Sequence, residues 1–121
     1  MKPLLAKELD NFLERFDYFK DGEFRSIDIN SATSILITLS AQDKARAFDW
    51  VSIDLEFSGV SDARLLDNSK LSHVDMNEGI SILFQDKNFY FGIGECSSLN
   101  SIKSSTCQIT SSSLKYKEGL F

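Results

Sequence analysis

The sequence predicts an α+β domain: a curved antiparallel sheet of about five to seven strands, sandwich- or half-barrel-like, with an N-terminal amphipathic helix packed on it. Three observations lead there. In the run W-V-S-I-D-L-E-F-S-G-V, Val51, Ile53, Leu55 and Phe57 alternate with Ser52, Asp54, Glu56 and Ser58. Successive strand side chains point to opposite faces, so this is a strand with one oily and one acidic face, as a one-side-wet antiparallel sheet requires. Leu5, Leu9, Phe12, Leu13 and Phe16 recur at helical spacing near the start. Ile80, Ile82 and Phe84, then Phe89, Phe91 and Ile93, alternate on either side of a Gln85-Asp86-Lys87-Asn88 turn, which is a hairpin signature.

Each element follows in order along a single domain of 121 residues. A helix is expected over about 4–17, with Pro3 near its start and the Lys20-Asp21-Gly22 turn after it. The β-rich body is expected over about 23–117. Phe24 to Asn30, with Ile27 and Ile29 inward, and Ser34 to Ser40, with Ile35, Ile37 and Leu39 inward, make a first hairpin. The opening run then supplies the central strand. Residues 60–79 lose alternation and read as a long acidic connection, with a helical turn at Asp62 to Leu66 or a short strand at Ser72 to Met76 as alternatives. After the second hairpin, Cys107 with Ile109 and Leu114 with Tyr116 repeat the alternation across a slip of phase, which reads as a final bulged strand. The expected core comprises Leu9, Phe12, Ile27, Ile29, Ile35, Ile37, Val51, Ile53, Leu55, Phe57, Ile82, Phe84, Phe89, Phe91 and Ile109.

Composition narrows the function classes. The net charge is −5, which argues against direct nucleic-acid binding and against an anionic membrane surface, and for a basic protein partner. Residues 61–86 carry two basic and five acidic side chains, the densest acidic stretch. Lys7, Glu8 and Asp10 interrupt the apolar start before a secretory signal can form, and two cysteines, Cys96 and Cys107, are too few for a disulfide scaffold; a cytoplasmic protein is expected.

Catalytic signatures are sparse. His73, in S-H-V-D, is the single histidine and reads as an ordinary loop residue. D-M-N-E-G (Asp75 to Gly79) departs from a calcium loop in the position of its glycine. Phe91-Gly92-Ile93-Gly94 lacks the third glycine of a dinucleotide loop. No G-x-S-x-G elbow occurs, and Asp54 with Glu56 is the spacing of any solvated strand face. No catalytic residue, metal or cofactor is expected. A protein-binding module is the first reading; a small pocket-containing enzyme or ligand-binding β-protein is the alternative.

The order F-D-Y-F-K-D-G-E-F-R-S-I-D-I, I-L-I-T-L, I-D-L-E-F-S-G-V-S-D, a variable loop, I-S-I-L-F-Q-D-K-N-F-Y-F and C-Q-I-T runs over roughly residues 16–117. It resembles small β-rich immunity proteins of bacterial polymorphic-toxin and contact-dependent growth inhibition systems. The resemblance implies binding and neutralisation of a cognate toxin domain, often a basic nuclease, by occlusion of its active site, with no shared catalytic residues. Asp62, Asp67, Asp75 and Glu78 in the acidic connection, with Asp54 and Glu56 as a second patch, are the candidate partner contacts.

Overall fold

A computed structural model describes residues 1–121. The strands are β1 (Lys2–Pro3), β2 (Glu23–Ser31), β3 (Ser34–Asp43), β4 (Asp49–Arg64), β5 (Ile80–Gln85), β6 (Asn88–Ile93) and β7 (Gln108–Leu120). Helix α1 (Leu9–Arg15) precedes β2, and α2 (Leu99–Lys103) lies between β6 and β7. All seven strands join one open antiparallel sheet in the order β2-β3-β4-β7-β6-β5, with β1 added to β7 where β6 ends. The expected α+β class and both expected hairpins are present. The second hairpin closes with Asp86 and Lys87 both at positive φ, the two-residue turn whose twist matches its strands.

One face of the sheet holds the core. Ile37, Leu39, Ile53, Leu55, Phe57, Phe91 and Ile109 are fully buried there. Over them lies the N-terminal segment, where Phe12 meets Phe16 edge-on at 5.2 Å, Phe16 stacks on Phe19 at 5.4 Å, and Phe12 reaches Tyr116 at 4.9 Å. Such ring pairs add to the burial itself. The helix is shorter than its apolar stripe suggested. Pro3 is in β1, Ala6–Glu8 is a 3-10 turn, and the α-helix begins at Leu9. Pairing to β7 and the Leu4 N–H donated to Leu114 O hold the first residues extended, which overrides helical spacing.

The central strands change face midway. Register between β4 and β7 is unbroken from Val51 opposite Leu120 to Val60 opposite Ser111, yet the core-facing positions step from Phe57 to Val60 and from Leu114 to Ser111. Gly59, at φ 66°, makes the step; a Cβ there would stand 2.0 Å from Ser112 Oγ. A bulge then falls between Val60 and Asp62 on β4. The phase slip expected in β7 is thus real, but the extra residue belongs to β4. Accordingly 60–64 is strand, not loop, Asp62 to Leu66 is no helical turn, and Ser72 to Met76 is no strand; a 3-10 turn occupies Asn68–His73 instead. Two expected core residues are exposed. Ile29 is 68% exposed because edge strand β2 runs past the covered part of the sheet, and Phe84 is 43% exposed at the hairpin tip, packed on Phe89.

One buried charge ties the layers together. Asp43, at the end of β3, is fully buried and accepts from Arg15 Nε (2.8 Å) and Nη2 (2.6 Å) and from the Ala45 N–H (2.9 Å). Arg15 also reaches Glu118 on β7 and lies over the Phe16 ring. The Arg15 hydrogen bonds hold the Asp43 carboxyl below the usual carboxylate range, more than burial raises it, and raise the guanidinium in turn.

Two outcomes follow in denaturant melts. Gly59→Ala should cost about 1–3 kcal/mol and Leu55→Ala about 2–5 kcal/mol, with Glu56→Ala near parent. Asp43→Asn should cost about 3 kcal/mol at pH 7, since it removes one partner of a largely buried pair. Because the folded pKa of Asp43 is lowered, its contribution is complete above the ordinary Asp value of about 4 and is lost as pH falls through the folded value. The gap between parent and Asp43→Asn should therefore close in acid; a gap unchanged at low pH would refute the assignment.

Candidate functional site

The six sequence-derived carboxylates do not share one surface. Asp54 and Glu56 stand on the outer face of β4, but register places Lys117 opposite Asp54 and Lys115 opposite Glu56, and Thr38 Oγ1 donates to Asp54 at 2.8 Å. This is a mixed-charge face. Asp62 lies near the end of β4, accepts from Gln108 Nε2 at 3.3 Å, and borders a hollow with Ile29, Ile35 and Leu65. Asp67 accepts the Ser69 N–H and starts the 3-10 turn; that bond, with help from the Ser69 hydroxyl, lowers its pKa. Asp75 accepts the Asn77 N–H, beside His73 and Lys70. Asp67 and Asp75 thus each fix a turn, the role for which short carboxylate side chains suit loops.

Glu78 is placed differently. It lines a groove of about 410 Å³ with Asp10, Tyr18 and Lys20 on one side and Glu95, Cys96 and Ser97 on the other, over Leu13, Ile80 and Ile82. Ser81 and Leu83 also border it. Ile80 and Ile82 turn toward the core while Ser81 and Leu83 turn to the opposite face, so a groove touching all four runs along the edge of β5. Three carboxylates from separate parts of the chain therefore line one groove with a single ammonium group, and Lys20 Nζ lies 5.8 Å over the Tyr18 ring.

Local geometry builds the walls. Asp17, Tyr18 and Phe19 all have positive φ, a left-handed turn that sends Phe19 into the core and leaves Tyr18 at the groove. Left-handed backbone is costly for such side chains and concentrates at sites the surrounding structure holds in place. Gly79 permits it: a Cβ there would lie 2.0 Å from Tyr18 O. On the far wall, Ser81 Oγ donates to Gly94 O (2.7 Å) and accepts the Cys96 N–H (2.8 Å), pinning Glu95 in place.

The groove was hidden from sequence reasoning. Asp10 lies off the apolar stripe of the helix and Glu95 follows the second hairpin; neither has a local signature. Only the tertiary approach of α1 to the free edge of β5 unites them with Glu78.

Reactive chemistry is limited. Burial raises the Cys96 thiol, with Glu78 adding to the shift, and pushes Cys107 up to about 11, so both are protonated near neutrality and poor nucleophiles. No group of three or more His, Cys, Asp or Glu side chains is placed to hold a metal. No helix is long and apolar enough to cross a membrane. Comparisons with protein families, with curated proteins and with solved structures found no match to this chain.

Proposed function

We propose that this chain is a protein-binding module acting as a cytoplasmic immunity protein: it captures a basic toxin domain, a nuclease, and blocks that domain's access to its substrate. The observation that carries this reading is the groove, where Asp10, Glu78 and Glu95 surround an apolar floor with Lys20 as the one cation. Carboxylates held around such a floor offer Lys and Arg side chains the partners they otherwise find in phosphate, and bidentate Arg–carboxylate pairs add directional selectivity. A volume of 410 Å³ also suits a small molecule. The position along an open strand edge and the excess of carboxylates favour a cationic polypeptide. The resemblance to immunity proteins supports the same direction.

The test is co-expression with the protein encoded immediately upstream. A complex that restores growth is expected when that neighbour is basic and toxic. Association should slow about tenfold or more as salt rises from low to high ionic strength, because screening shortens electrostatic steering. Glu78→Lys combined with Glu95→Lys should weaken the complex while leaving the melt near parent. Neither complex nor rescue, alongside turnover of a small molecule, would replace this reading with the enzyme alternative.

A further inference from the structure

The two edges of the sheet are treated differently. On β2, the Asn68 side chain accepts the Ile27 N–H at 2.9 Å and donates to Ile27 O at 3.0 Å, as a neighbouring strand would. The Asn68–His73 turn lies along that edge with Leu71 buried beneath it, and β2 carries irregularities at Phe24/Ser26 and Ile29/Ser31. These are the devices that keep an edge from pairing.

The β5 edge has only a partial cover: Tyr18 to Lys20 close over its start, where Ile80 is buried, and it opens toward Phe84, which is exposed. Its register with β6 is unbroken from Ile80 to Gln85, and I-S-I-L-F-Q contains no charge and no proline. Closure by a two-residue turn makes Gln85, Leu83 and Ser81 the positions bonded to β6. The Gly94 N–H donated to Gly79 O at 2.8 Å continues the same alternation. The N–H and C=O groups of Ile80, Ile82 and Phe84 therefore point away from the sheet, along the acidic groove.

We infer that the free edge of β5 is a docking site for an extended basic segment of the partner protein, which adds to the sheet as a further antiparallel or parallel strand. This rests on the reading above that the partner is a basic protein. Backbone hydrogen bonds to Ile82 and Phe84 supply the attachment, and the walls supply the selection. Side chains of an added strand alternate between the two faces. One set meets Asp10, Leu13 and Tyr18; the other meets Glu95 and Ser97, with Glu78 at the strand's start. Because each wall holds a carboxylate, the segment carries cations of both parities rather than on one side alone. A second copy of this chain is a poor occupant, since pairing two β5 edges brings two acidic walls into one seam.

The experiment uses the intact protein and three synthetic peptides of about six residues, matched to β5: one of Lys, Arg, Val and Thr, the same peptide N-methylated at alternate backbone positions, and one with Glu replacing the cations. Titration with amide hydrogen exchange reads both affinity and place. The basic peptide should bind and slow exchange at Ile82 and Phe84. N-methylation on the bonding positions should abolish that binding while leaving charge intact. Glu78→Gln with Glu95→Gln should weaken it about tenfold, the loss expected for charge-assisted hydrogen bonds, and the acidic peptide should not bind. Equal binding of the N-methylated peptide, protection elsewhere on the chain, or protection produced by self-association would overturn the inference. Toxin neutralised without protection at β5 would sink edge docking and leave the immunity reading standing. A peptide docked on β5 with no toxin neutralised would do the reverse.

Discussion

Both halves of the sheet hang on the β4–β7 pair, and that pair holds only because the two strands change their core-facing phase together. β3 and β2 extend from one side of it, β6 and β5 from the other. Strict two-residue alternation along the 16 residues of β4 would put Gly59, not Val60, on the core side beyond Phe57. The three-residue step from Phe57 to Val60 solves this, and β7 makes the matching step from Leu114 to Ser111 without loss of register. Left-handed backbone at Gly59 is the local means, and the proximity of Ser112 is why no side chain fits there. Without the step, either Phe57 or the Ile109–Phe91 region would turn to solvent.

The covering layer is fixed to this spine by chemistry of two kinds. Aromatic packing among Phe12, Phe16, Phe19 and Tyr116 is strong but weakly directional. The Arg15–Asp43 pair supplies direction, since a guanidinium bound through two nitrogens to one carboxylate permits little rotation of α1. Ring packing thus sets how firmly α1 is held, and the ion pair sets where its polar side points. That orientation leaves Asp10 facing the groove and Leu13 in its floor. The groove is therefore a consequence of how the core is closed, since the helix that carries Arg15 also carries Asp10.

Patterns confined to one strand were legible in the sequence. Val51 to Phe57 face as their alternation requires, and the Asp86-Lys87 turn closes the hairpin that surrounds it. What was illegible depended on partners distant in the chain. Residues 60–64 lose alternation because a bulge resets the phase, so a strand reads as a loop. Ile29 keeps its alternation but has nothing to cover it. Asp54 and Glu56 read as an acidic face because Lys115 and Lys117, which register sets opposite them, lie far along the chain. Asp10, Glu78 and Glu95 met no pattern, since what unites them is a strand edge.

Net charge alone therefore located nothing; placement does. The opposed pairs Asp54–Lys117 and Glu56–Lys115 across β4 and β7 cancel at short range and leave little field beyond a Debye length. Turn carboxylates such as Asp67 are already engaged by backbone donors. The groove carboxylates have neither a cross-strand cation nor a backbone donor, and the one ammonium lining the groove leans on an aromatic ring. They also flank an apolar floor, where a lower local dielectric strengthens their pull on a cation relative to the same groups on open surface. An acidic chain of this size has many places to carry its charge harmlessly. Here three carboxylates without hydrogen-bond or ion-pair partners stand along a sheet edge that no further strand occupies, and these two features have no structural need of each other. A cationic strand is the ligand that uses both at once.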